Sequence, residues 1–299
     1  MAGMDGRQIS QHRLGIALVA GSAIAYSTAG FFTRLIQIDV WTLLFWRGIF
    51  AGLFIAGILV WQYRRDSLRA MFGMGWGGLL IAGLSTLGMV LFINALRLTS
   101  VADVALIFAA APFVTALFAR LAIGEKASLP TLIASGIAFL GVAVMVGSAA
   151  TAGHLGGDLL ALGMTCAIAA MMVAVRQFRQ TRMTPAVCLS SFLTSLVALP
   201  LAMPSHVERI EFLYLALFGI SQLGLGLLLL TAGTRLISAT ESALIGVLDT
   251  PLAPVWVWLA FGEVPAQPTM LGGAIILCAV IGHILADSRI NRKPAAGIG

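Results

Sequence analysis

A chain of 299 residues that is 60% hydrophobic and 10% charged, with a mean hydropathy of +1.00, is not an ordinary soluble domain, whose charged share is about a quarter. It reads as an all-α integral membrane protein. The formal charge of +6 lies in short basic clusters between apolar runs, which is the pattern of a membrane protein and excludes a nucleic-acid partner.

In chain order, residues 1–13 form a short polar leader carrying Arg7, His12 and Arg13, read as cytoplasmic. Ten apolar segments follow, at 14–33, 40–62, 73–96, 99–119, 129–148, 157–175, 185–203, 211–233, 239–261 and 268–286, each long enough to span a bilayer. Residues 287–299 are a cytoplasmic tail. Ala23-Ile24-Ala25 imitates a signal-peptidase site, but the apolar run continues through it, so the first helix is expected to stay uncleaved. Cys166, Cys188 and Cys278 all fall inside apolar segments and read as small core residues without a disulfide or metal role. Trp41, Trp61, Tyr63, Trp76 and Tyr214 lie near segment ends, where aromatic anchoring belts are expected.

With both termini inside, fourteen of the eighteen Lys and Arg residues fall on the cytoplasmic side, as the positive-inside rule requires. The chain is also duplicated. Arg97 to Glu125 and Arg235 to Glu263 align without a gap at an offset of 138, matching Arg97-Leu98 with Arg235-Leu236, Asp103 with Glu241, and Gly124-Glu125 with Gly262-Glu263. Five segments per half make the duplication inverted: a first repeat over 14–148 and a second over 149–286, related by a pseudo-two-fold axis in the membrane plane.

Each copy carries a mid-helix proline, Pro112 in the first and Pro251 with Pro254 in the second. A proline inside a spanning helix removes an N–H and frees the carbonyl four residues back, here Val247 and Thr250, so such backbone must line a cavity. These three prolines are the expected helix breaks and gating points.

Ten segments in two inverted halves, the R-L-(I/T)-S start of segments four and nine, their central prolines and the Gly-Glu at each exit resemble the EamA-type branch of the drug/metabolite transporter superfamily, from about Leu14 to Ala286. Within it the chain is most similar to bacterial inner-membrane exporters of aromatic and other amino acids. The resemblance implies ATP-independent export by alternating access around a midplane cavity, with segments five and ten peripheral and no cofactor.

The residues supply candidates for that cavity. Asp249 lies ~15 Å into its segment, where an ionised group is costly unless it faces protein, water or ligand; its face carries Ser242, Gly246, Ala253 and Trp256, which suits an ammonium group. A structural interhelical bond is the plain alternative. Arg47, ~12 Å into the second segment, needs a partner, either a substrate carboxylate or Asp39 or Asp103. Tyr26, Asn94 and Gln222 add hydroxyl and amide groups that either read the substrate or join helices. His283 is a weaker candidate, as a proton relay.

Function classes narrow accordingly. An enzyme is not expected, since there is no nucleophile with its base, no facing pair of aspartates and no His-Glu-x-x-His. No Walker pattern is present, so ATP drive within the chain is excluded. An ion channel fits less well than a carrier because an inverted repeat with broken helices serves alternating access. Export of a cationic drug or another small metabolite is the remaining alternative to amino acids. A monomer suffices, and a homodimer through segments five and ten is compatible. Asp249 as proton carrier and passive, facilitated movement explain the sequence equally well.

Overall fold

The computed structural model describes residues 6–99, 101–146, 155–204, 207–262, 264 and 266–290. Among these residues all regular structure is helical. Nine helical stretches are long and apolar enough to cross a membrane, and Leu129–Met145 is a shorter apolar helix. Residues 6–13, expected in the polar leader, form the first two turns of α1 (Gly6–Ser27), which is followed by α2 (Ala29–Leu35).

α3 (Val40–Tyr63) starts where Asp39 accepts hydrogen bonds from the backbone N–H groups of Trp41 and Thr42 at 3.0 and 2.9 Å, an N-cap that occupies two of the orphan donors at the helix start. The carboxylate predicted as a partner for Arg47 is thus committed to its own helix end. α4 (Ser67–Phe72) is a short link to α5 (Gly75–Leu98).

The fourth segment is broken into α6 (Val101–Phe108) and α7 (Ala111–Ile123), with Pro112 in the first turn of α7. The missing N–H of Pro112 would have bonded Phe108, and α6 ends there. The ninth segment breaks in the same way into α13 (Ala239–Gly246) and α14 (Asp249–Phe261), with Pro251 in the first turn of α14 and Pro254 inside it. One expectation fails at this break. The Val247 carbonyl is not left open, because the chain tightens and Thr250 N–H donates to it at 3.1 Å. Both second halves end on a glycine in the left-handed region, Gly124 at φ 67° and Gly262 at φ 70°, where a Cβ would be strained.

The remaining helices are α8 (Leu129–Val146), α9 (Leu155–Gln177), α10 (Met183–Ala198), α11 (Arg209–Phe218), α12 (Gly226–Thr234) and α15 (Gln267–Ile290). A π-helical turn, Gly219–Leu225, joins α11 to α12. The helices pack in long pairs: α5 on α9, α3 on α10, α1 on α12, and α8 on α15. Small residues let them approach: a Cβ on Gly48 would strike Ser195 and one on Gly52 the ring of Phe192, both on α10.

The interior is apolar, with Val19, Ile55, Ile81, Leu244, Ile245 and Val280 fully buried, yet the outside is apolar too, with Trp61, Phe72, Trp76, Leu121 and Leu259 exposed. A surface of that kind matches lipid, not water. Trp61 and Trp76 therefore stand where an anchoring belt needs them. Trp41 does not: at 7% exposure it packs with Leu44, Ile93 and Ala198 inside the bundle, because its side of α3 faces α5 and α10.

Candidate functional site

The broken helix α13–α14 and the π-helical turn bring polar groups from distant parts of the chain together. Gly219 makes this possible, since its missing side chain lets the turn lie against the Arg47 carbonyl and Phe50 of α3. From there Gln222 turns its amide oxygen to the guanidinium. Arg47, 3% exposed, donates from Nη1 to Gln222 Oε1 at 2.9 Å and from Nη2 to Met89 Sδ at 2.9 Å, and its Cζ lies 5.1 Å from the centre of the Phe218 ring. Its Nε has no hydrogen-bond partner. Its protein partners are therefore a neutral amide, a thioether and a ring, not the carboxylate of Asp39 or Asp103. Asp103 instead accepts from Thr99 Oγ1 at 3.1 Å.

Tyr26 of α1 lies against Gly226 at the start of α12. Asp249 is the first residue of α14, where the positive end of a helix dipole favours an anion, and Thr250 Oγ1 donates to its Oδ1 at 3.1 Å. Trp256 Nε1 donates to Ser27 Oγ at 2.7 Å, so the indole ties α14 to α1 one residue from Tyr26. Of the six sequence candidates, Arg47 and Gln222 are thus bonded to each other, Trp256 ties α14 to the residue beside Tyr26, and Asp249 stands at the break of the same helix. Asn94 does not join them by a bond: its Nδ2 donates to Val90 O of its own helix at 2.8 Å.

A second polar group was not anticipated. Arg176 at the end of α9 donates from Nε to Glu125 Oε2 at 3.1 Å and from Nη1 to the Arg235 carbonyl at 3.0 Å. Glu125 Oε1 in turn accepts from Ala239 N–H at 3.3 Å, at the start of α13. Two residues on, Glu241 Oε2 lies 3.1 Å from His12 Nε2, and its Oε1 lies 3.7 Å from His283 Nε2. His283, expected at the periphery, is 8% exposed. The available sequence signal was the pairing of Glu241 with Asp103 in the duplication. Nothing local to His12 or His283 showed that their rings reach it.

This end also gathers the basic residues Arg13, Arg120, Lys126, Arg176, Arg182 and Arg235. Here α13 packs against α7, α8, α9 and α1. At the other end α6 packs against α5, α8 and α9, but among the described residues has no extensive packing against α14. A groove of about 520 Å³ runs beside α12, lined by Gln62, Tyr63, Arg182, Leu228 and Arg235; it lies apart from Arg47 and Asp249 and touches the second polar group only at Arg235. Its polarity is at the surface, whereas the Arg47 group is buried among spanning helices, which makes the latter the stronger candidate for transport.

A polytopic helical bundle with two interrupted helices and a buried charged group beside one interruption belongs to the class of multi-pass membrane transporters. The chain belongs to the EamA-like transporter family, whose pattern it matches twice, over residues 13–147 and 155–285. One solved structure, described only as "Crystal structure of protein", shares the fold with a TM-score of 0.77 at 18% identity, covering 93% of this chain and 98% of the other. No curated protein matches the chain by sequence.

Proposed function

We propose that this chain exports amino acids across a bacterial inner membrane by alternating access, without ATP. Ten helices span in two inverted five-helix repeats, 14–148 and 149–286, with both termini and the basic end in the cytoplasm. The observation that carries the substrate class is a buried cation, Arg47 with its free Nε, and a carboxylate, Asp249 at the helix break, on elements that both pack against α1: α14 and the π-helical turn that holds the guanidinium. An amino acid presents the complementary carboxylate and ammonium, and Gln222 serves either. Broad specificity follows from reading the backbone charges while leaving the side chain to apolar walls.

Alternating access is supported by the uneven packing of the twin helices. α13 seals the basic end while α6 leaves its own end less tightly packed, so the state described is closed toward the cytoplasm. Asp249 with Tyr26 and Trp256 also favours a second reading, a cationic, aromatic-binding drug exporter.

Exchange of labelled amino acids into liposomes preloaded with one unlabelled amino acid, without ATP, separates the two. Accelerated exchange with several amino acids supports the first reading. No exchange with any of them, together with movement of a lipophilic cation, overturns it for the second. In the amino-acid case Asp249→Asn lowers ammonium recognition and so raises the half-saturation concentration, while Arg47→Met lowers exchange about 10- to 100-fold.

A further inference from the structure

The closed end holds three titratable side chains for which the substrate site has no use. Glu241 lies in the first turn of α13 and is 6% exposed; its two oxygens face Nε2 atoms on two other helices, His12 of α1 at 3.1 Å and His283 of α15 at 3.7 Å. Glu241 Oε1 and His283 Nε2 have no hydrogen-bond partner, the 3.7 Å between them being a charge contact too long for one.

A buried carboxylate in a spanning helix needs a compensating positive charge. The charged groups on the elements around α13 are few. Glu125 and Arg176 satisfy each other and two backbone groups, Arg13 and Arg120 point to the surface, α8 carries no titratable residue, and Arg235 lines the groove beside α12. That leaves the two imidazoles, which are cations only when protonated. Among the described residues no group of His, Cys, Asp and Glu is arranged to hold a metal ion, so a proton is the ligand that fits.

We propose that His12, Glu241 and His283 are the proton-binding site of this carrier, and that closing the basic end takes up a proton which opening releases. When the end is shut, Glu241 is cut off from water and one shared proton makes the Glu–imidazole group neutral. When the end opens, water hydrates the carboxylate and the imidazolium is no longer required, so the proton leaves on that side. The proton is thereby the coupling ion of the transport cycle, carried apart from Asp249. α1 packs along α13, whereas α15 packs along α8 and meets α13 sparsely, so His283 is the partner that opening removes. The sign follows: taking up the proton favours closure, and losing it as the pH rises favours opening.

The inference rests on the transporter reading but not on amino acids as substrate, and its test uses no substrate. Spin labels are placed on the exposed positions Gln11 and Lys126, across the closure, in a protein whose Cys166, Cys188 and Cys278 are alanine, and distances are measured in nanodiscs from pH 5 to 9. The wild-type background should pass from mostly short distances at the acid end of this series to mostly long distances at the alkaline end. Glu241→Gln should make the distribution independent of pH, and the double variant His12→Gln with His283→Gln, used if Glu241→Gln does not fold, should do the same. A wild-type distribution that ignores pH, or a pH response that survives in these variants, overturns the proposal. Failed amino-acid exchange beside an intact pH response would count against the substrate reading alone.

Discussion

α6–α7 and α13–α14 grow from nearly the same sequence and reach different surroundings. Both break at a proline-bearing turn and both end on a left-handed glycine, because Pro112, Pro251, Gly124 and Gly262 act through the local backbone. Their first turns diverge. Asp103 meets the hydroxyl of Thr99, which also lies 2.9 Å from Asp158, whereas the longer Glu241 reaches two imidazoles. α13 is pressed into the bundle and α6 has no matching grip on α14. Duplication preserves the scaffold, and the side chains it does not preserve decide how firmly each first half is gripped.

The largest test of this asymmetry is Arg47, since the helix packed against it, α10, has no charged residue. Arg47→Ala removes charge-assisted contacts of about 1.5–3 kcal/mol, so amino-acid exchange in liposomes should fall about 10- to 100-fold with the protein still inserted. Next is Glu125→Ala, which unties α13 from α9. Ser242 is fully buried, and in a Ser242→Cys background its reaction with a membrane-impermeant maleimide should rise about five-fold, equivalent to ~1 kcal/mol. Asp103→Asn, in the twin, should leave that rate unchanged.

A smaller effect separates the π-helical turn from α5, its counterpart, which runs unbroken from Gly75 to Leu98. Gly219→Ala drives a Cβ against the Arg47 carbonyl and should cost about 1–3 kcal/mol, read as a fall of several degrees in Tm. Gly246→Ala, where a Cβ meets nothing within 4 Å, should leave Tm unchanged or raised. The smallest is Trp256→Phe, which loses the bond to Ser27. About 0.6 kcal/mol is expected for such an interhelical bond, with exchange kept within about two- to three-fold.

Nine of the ten expected spans, the repeat and both breaks were legible because apolar runs and prolines act over a few neighbouring residues, whereas Leu129–Met145 is a shorter apolar helix. Arg47, Gln222, Tyr26 and Asp249 were legible singly, since polarity within an apolar run stands out, but their grouping was not. Which groups meet depends on how each helix is rotated about its axis and on which partner it crosses, and neither is written in a local pattern. The same gap hid His12 behind Glu241 and placed Trp41 in a belt when its face turns inward. The π-helical turn was invisible for another reason: Gly219–Leu225 contains no proline, and its glycines read equally well as close helix packing, so only its contact with α3 betrays the widened turn.

That widened turn has a mechanical consequence. A π-helical stretch bonds each N–H to the carbonyl five residues back in place of four, so it harbours one residue more than the flanking helix needs. Such a surplus can travel: as carbonyls exchange partners one after another, the bulge creeps along the rod while both ends keep their bonds. Each step swings the intervening side chains about the axis, Gln222 among them. The amide that meets the Arg47 guanidinium therefore sits on the one stretch of its helix whose register is set by a surplus residue, not by the regular four-residue ladder.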